Sequence, residues 1–362
     1  MQNTQEMEDS KVDPGKGSVD EVVVDTNAPN TNEECSQDLP VSSWLKNFHL
    51  PFLAMCMGSG GFSLMLKKAA SIFEWLPALP YQIGVALTAV LFISLALIYL
   101  IKYIIYPSVV IKHELTHPIK SNFAPVFSIV ILMVALGTMD TDLENVGKVL
   151  IWIGFAIQFP LALLMMRRWF TKQVQIKFCN PACLIAPVGL LLAGLAFARI
   201  GVFELAIFNY SASLFWWLMI FAQFLHRVLF VGMLPEKLIP MLFILLAPPC
   251  IATAATYEIY GNNAMVMVFY SIALFFAFLL IALGNLFYKA VKSFKLTWLA
   301  FVFPAASFAI GSLEVHFLNP DVLLWEVISI VAMIFATLVF FAVSVTSLVM
   351  VVKGKVFVEE DE

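Results

Sequence analysis

Charge is what this sequence has least of. Only 13% of its 362 residues are Asp, Glu, Lys or Arg, whereas 61% are hydrophobic, and a soluble chain of this length is not composed that way. The centres of its apolar runs hold almost no carboxylate or histidine, so a proton relay of the kind coupled carriers keep in their spans is not indicated. Glu204, Glu258, Glu314 and His316 lie near one end of their runs, His226 and Arg227 near the other. No ATP-binding signature is present, which argues against a pump. The five cysteines are scattered: Cys35, Cys56, Cys179, Cys183 and Cys250. Cys179 and Cys183 lie four apart, but no second pair or nearby histidine completes a metal site. All but Cys35 read as small buried side chains. No cluster of His, Cys, Asp and Glu suggests a metal or catalytic centre, so neither an enzyme nor a cofactor is expected, nor is nucleic acid as a partner. The first 42 residues are acidic, with no apolar core, so no cleavable signal peptide is expected there.

What the chain has instead is long apolar runs. Ten candidate membrane spans cover about 48–66, 79–106, 123–139, 146–169, 182–200, 202–230, 238–257, 264–290, 296–315 and 322–352. Short loops make consecutive spans antiparallel neighbours. The odd spans are short and carry Pro51, Pro125, Pro187, Pro248 with Pro249, and Pro304. The even spans are longer and, apart from Pro160, free of interior proline. Pro125 to Pro187 is 62 residues, Pro187 to Pro248 is 61, and Pro248 to Pro304 is 56. That spacing is a helical hairpin made five times. The bent odd helices suit an inner ring, the even helices an outer ring facing lipid. Gly58, Gly60 and Gly61 in the first span and Gly189 and Gly194 in the fifth permit close approach or local unwinding. The Trp216–Trp217 pair is expected to face lipid or a neighbouring subunit.

Residues 1–42 and 356–362 read as acidic cytoplasmic tails, the first of them disordered, flanking a channel domain over 43–355. Ser10, Ser18 and Ser36 are candidate targets for a kinase, against the plainer reading of a solvated tail. Ten spans return both ends to one side. Fifteen Lys and Arg flank the membrane on that side, against Lys67, Lys68, Lys148 and Arg199 on the other, which places both termini in the cytoplasm.

Leu296 to Glu314, LTWLAFVFPAASFAIGSLE, holds no charge before its last residue. Pro304 removes a backbone donor near its middle, so an interruption of the helix is expected there, against protein or a water-filled path. A conduit of this kind would be lined by small and aromatic side chains, with helix N-termini favouring anions and rings closing a constriction. Ser307 and Thr253 offer hydroxyls to an anion or bond back to their own helix. Arg199 either draws anions to the mouth or anchors the span at the interface. Phe301 reads as packing, His117 as a cap or loop contact.

Several local motifs resemble the tellurite-resistance/dicarboxylate transporter family, the TehA-like proteins that include the plant slow anion channels. They are His117, Pro118, Asn122 and Phe123; Asn180 with Pro181; Ala247 with Pro248; and Leu299 to Pro304. The order and spacing of these motifs carry the resemblance, over residues 48–355. It implies an all-α membrane protein of five hairpins around a central pore, assembled as a homotrimer of separate pores. It implies that Phe303, before the ninth-span proline, gates the pore, with Pro51, Pro125, Pro187, Pro248, Pro304, Gly58, Ser307 and Thr253 lining or kinking it. The expected function is a gated passive channel for chloride, nitrate or small organic anions in the plasma membrane. The alternative is a transporter or exporter of organic acids such as malate, or of sulfite. Departures at Gly189–Leu192, Leu299 and Pro249 bear on substrate preference more than on fold.

Overall fold

The computed structural model describes residues 43–353, apart from 173, 174 and 293. The two tails, with Cys35, Ser10, Ser18 and Ser36, lie outside the described residues. Ten helices are long and apolar enough to cross a bilayer: α1 Leu50–Ala70, α2 Leu79–Ile105, α3 Lys120–Thr138, α4 Glu144–Thr171, α5 Pro181–Arg199, α6 Phe203–Phe230, α7 Glu236–Tyr260, α8 Ala264–Ala282, α9 Leu296–Leu318 and α10 Leu323–Val352. No strand occurs among the described residues. The eighth span ends sooner than its apolar run suggests. A separate short helix, Gly284–Ala290, follows Leu283, because a glycine here weakens the helix interior.

Burial sorts the helices into two rings. In the core stretch of each odd helix 61 to 94% is buried, against 17 to 33% for the even ones. The odd helices close on themselves: α1 packs against α3 and α9, α3 against α5, α5 against α7, and α7 against α9. Each even helix packs against its own odd partner and against the next odd helix, with α10 bridging α9 and α1. Large apolar side chains such as Leu87, Phe215, Phe278 and Leu338 cover the outside. In water they would be a liability; in lipid they are solvated.

Every odd helix opens in 3₁₀ geometry before turning α-helical. The opening turns are Leu50–Leu53, Lys120–Phe123, Pro181–Leu184, Glu236–Leu246 and Leu296–Trp298. The repeated prolines mark that change. Pro51 lies in the first opening turn, Pro125 directly precedes the α-helix Val126–Thr138, and Pro187, Pro248 and Pro249 sit in the first α-helical turns. Pro304 is different from expectation: the α-helix Leu299–Leu318 runs unbroken through it. Being the sixth residue of that helix, it strips a hydrogen bond only from the Ala300 carbonyl, one turn before it. The irregular geometry is taken up earlier, by the opening turn.

Polar side chains join neighbouring helices at single points. Ser59 and Thr88 hydroxyls meet at 2.8 Å between α1 and α2, and Tyr210 and Thr256 at 2.7 Å between α6 and α7. Tyr270 donates to Ser312 at 2.9 Å between α8 and α9. Buried Gln158 of α4 accepts from Ser128 of α3 and donates to the Ala186 carbonyl of α5. A Cβ on Gly189 would stand 2.3 Å from that amide nitrogen, so only glycine lets Gln158 reach across. Interhelical bonds of this kind hold membrane helices together where lipid supplies no hydrophobic drive. The tryptophan pair divides. Trp217 is buried in the core, and only Trp216 reaches the outer surface, beside Trp169 and Phe170.

Candidate functional site

A cavity of about 440 Å³ opens between the C-terminal ends of the five inner helices. Each helix contributes residues at a helical spacing of three and seven. The sets are Gly61, Leu64 and Lys68 from α1; Met133 and Leu136 from α3, with Asp140 just past its end; Leu192, Leu195 and Arg199 from α5; Ile251, Ala254 and Glu258 from α7; and Ser307, Ile310 and Glu314 from α9. Such a spacing keeps one helical face turned to the same side. The walls are therefore mostly apolar, and the helices deliver charged residues to the rim: Lys67 and Lys68 from α1, and one each from the other four.

Phe303 lies one turn below Ser307, at the floor of this cavity, and is 4% exposed. Its ring crosses towards α1: a Cβ on Gly61 would stand 2.9 Å from Phe303 Cδ2. Glycine at that position is what admits the ring. The neighbouring Gly58 faces Val302 in the same manner, at 2.9 Å, and takes no part in the cavity lining. Phe301 points away and packs edge-on against Phe243, 4.8 Å between centroids. Its role as packing agrees with the sequence.

The other sequence candidates fall into place unevenly. Ser307 lines the cavity, but its hydroxyl donates to the Phe303 carbonyl at 2.9 Å. Thr253 is buried and bonds back to the Pro249 carbonyl at 2.9 Å, away from the cavity wall. Pro51, Pro125, Pro187, Pro248 and Pro304 stand at or near the heads of their helices and are not among the cavity-lining residues. Arg199 does reach the mouth, where its Nε lies 3.2 Å from Glu258 Oε1. His117 caps the opening turn of α3, its Nδ1 accepting from the Ile119 and Lys120 amides at 3.0 and 3.1 Å.

The charged rim was not legible as a unit in the sequence. Lys68 Nζ lies 2.8 Å from Glu314 Oε2 and joins α1 to α9. Lys67 bonds the Leu136 and Met139 carbonyls and lies 3.4 Å from Asp140, joining α1 to α3. With Arg199–Glu258 between α5 and α7, three ion pairs tie the inner ring together at its far end.

A second charged cluster sits at the opposite end, by the helix heads. Lys102, at the end of α2, and Glu114, in a π-helical turn Val110–Glu114, are 0% and 1% exposed and bonded to each other. His49 Nδ1 and Tyr99 Oη donate to the same carboxylate, each at 3.0 Å, and Lys102 also donates to the Phe48 carbonyl at 2.6 Å. Burial acts to raise the Glu114 carboxyl, but the hydrogen bonds from His49 and Lys102 outweigh it and hold it below the ordinary carboxylate range. This hub ties the approach to α1 to the α2–α3 connection. Lys102 is thus an internal partner rather than a free surface charge.

On the same side a cavity of about 330 Å³ lies among α3, α4, α5 and α6. Cys179 and Cys183 line it and are half-buried free thiols rather than fully buried ones, while Cys56 and Cys250 are buried. Cys183 faces Asn122 of the His-Pro/Asn-Phe motif at 3.4 Å. Hydrogen bonding to Cys183 and burial push the Cys179 thiol well up, which leaves it a poor nucleophile. Among the described residues no cluster suited to a metal ion occurs.

Comparison with known proteins agrees with this architecture. The family described as voltage-dependent anion channel matches residues 47–351. The S-type anion channel SLAH3 of Arabidopsis thaliana is 28% identical over 321 residues, 84% of this chain and 49% of that protein. The S-type anion channel SLAH1 of the same plant is 25% identical over 311 residues, 81% of this chain and 80% of that protein. The uncharacterized transporter MJ0762 of Methanocaldococcus jannaschii is 27% identical over 295 residues, 73% of this chain and 83% of that protein. The chain spans about half the length of SLAH3.

Proposed function

We propose, from the premise that the chain belongs to the voltage-dependent anion channel family, that this integral membrane protein is a gated, passive conduit for small anions. Chloride, nitrate and small organic anions are its proposed cargo. One observation carries this reading: five inner helices close around a cavity to which all five contribute, and the Phe303 ring lies across its floor against Gly61. A phenyl ring at a constriction stops ions by bulk and by dewetting. The floor is lined by no carboxylate or histidine that could serve a proton relay; the lining carboxylates are a turn or more above it, at the rim.

Both termini are assigned to the cytoplasm of a plasma-membrane protein. Lys67, Lys68, Lys148 and Arg199, the four cations of the far side, each sit within 4 Å of a carboxylate. Fifteen Lys and Arg flank the membrane on the side of the termini against these four, which is the asymmetry the positive-inside rule reads. Because one chain closes its own ring, a homotrimer would carry three separate pores. A kinase acting on the N-terminal tail is the proposed source of an activating signal.

Anion substitution in a voltage-clamped cell tests the function. Replacing external chloride by a large impermeant anion is expected to shift the reversal potential positive, by close to ~58 mV per tenfold change in chloride if chloride alone carries current. A reversal potential that ignores chloride and nitrate and follows the proton gradient would overturn the channel in favour of a coupled carrier of organic acids or sulfite.

A further inference from the structure

The rim above the Phe303 floor carries six charges within one cavity: Lys67, Lys68 and Arg199 against Asp140, Glu258 and Glu314. Their formal sum is zero. An anion conduit gains from cations at its mouth, because a positive, low-dielectric funnel concentrates anions. Here each cation is matched by a carboxylate from a neighbouring inner helix. Structural pairing alone does not explain why the acids face the cavity. Glu314 is the clearest case. Its side chain is 3% exposed and its Oε2 meets Lys68, while its Oε1 has no hydrogen-bond partner. Glu314 lies on the same face of α9 as Ser307 and one helical turn beyond Ile310, among the residues bounding the cavity. Lys68 meets one oxygen and no hydrogen-bond donor meets the other, so in a low-dielectric surround the carboxylate is incompletely compensated.

We propose that Glu314, seconded by Glu258 and Asp140, sets the anion occupancy of the conduit by cancelling the field of Lys67, Lys68 and Arg199. The carboxylates restrain conduction, and the cations promote it. Lys68 keeps its place without Glu314, because its Nζ also stands over the Phe317 ring at 4.6 Å and the Tyr257 ring at 5.9 Å. The inference rests on the anion-channel reading and adds to it the residues that tune flux.

The test uses the full chain in the Phe303→Ala background and measures chloride current at two ionic strengths. Glu314→Gln, nearly isosteric, is expected to raise current about two- to fourfold at ~20 mM salt, as loss of one wall charge already largely offset by Lys68 implies. At ~500 mM salt, where screening reaches only a few ångströms, the gain is expected to fall below about 1.5-fold. Lys68→Gln should lower the low-salt current by a comparable factor, and the double variant should return it close to the parent. Glu258→Gln, at a partly exposed position, repeats the measurement with less risk to folding and is expected to act in the same direction. Equal change at both salts, no change, or a fall on removing Glu314 and Glu258 would overturn the proposal while leaving the channel standing. No anion current in the Phe303→Ala parent would remove the channel reading, and this inference with it.

Discussion

Phe303→Ala is expected to raise anion current on the order of tenfold or more over the parent chain, at equal surface expression. The reasoning is geometric. The ring is held at the cavity floor against the Gly61 backbone, and on that side its removal leaves only small or flexible groups: Gly61, Ala306 and the Met133 side chain. None of these is rigid and large enough to restore the barrier. A graded series sharpens the expectation. Phe303→Leu, which keeps part of the bulk, should fall between the two, and Phe303→Trp should remain closed. Current recorded with surface-labelled protein checks this. An alanine variant that reaches the surface and conducts no more than the parent would mean that Phe303 is one packed ring among many.

The second large effect lies at the other end of the molecule. Lys102→Met is expected to destabilise the fold by about 3–5 kcal/mol, since it strands the Glu114 charge among buried groups. Glu114→Gln should cost less, because a neutral amide can keep bonds to Tyr99 and His49. Replacing both partners by apolar residues should recover much of the loss, as buried pairs are specific rather than strongly stabilising. The pH dependence has a definite sign. Glu114 is held below its ordinary range, so its contribution is complete above about pH 5 and is lost as pH falls through the depressed value. Thermal unfolding in detergent at pH 7 and pH 4 reads both effects. Parent-like stability of Lys102→Met would show that the hub is not a structural tie.

Much of the fold could be read from the chain because lipid imposes simple rules. Ten apolar runs predicted ten helices, with ends within a few residues except at the eighth, which stops at Ala282, and the proline spacing predicted the division into inner and outer rings. What escaped is what depends on ring closure. Lys68 and Glu314 are at opposite ends of the domain and meet only because α9 returns to α1. His49 and Glu114, 65 residues apart, meet only because the approach to α1 packs against the α2–α3 connection. The residues seven positions before each rim charge, Gly61, Met133, Leu192, Ile251 and Ser307, differ so much in type that no motif connects them, although the spacing itself was present. Pro304 illustrates the reverse error. A proline in mid-run suggests a break, but the run begins in 3₁₀ geometry, so the α-helix starts only five residues before it. Gly189 was legible as a place of close approach, but not the group that approaches: Gln158 lies on the neighbouring hairpin.

The claim that ions pass through the interior of the inner ring is tested most directly at Leu195, a wall residue midway between floor and rim. In a Phe303→Ala chain with Cys250 replaced by serine, Leu195→Cys is exposed to a bulky, negatively charged methanethiosulfonate from the far side while anion current is recorded. The account requires the current to fall by most of its amplitude as the thiol is labelled, and to recover on reduction. Complete labelling with undiminished current would place the ion path outside the ring and contradict it.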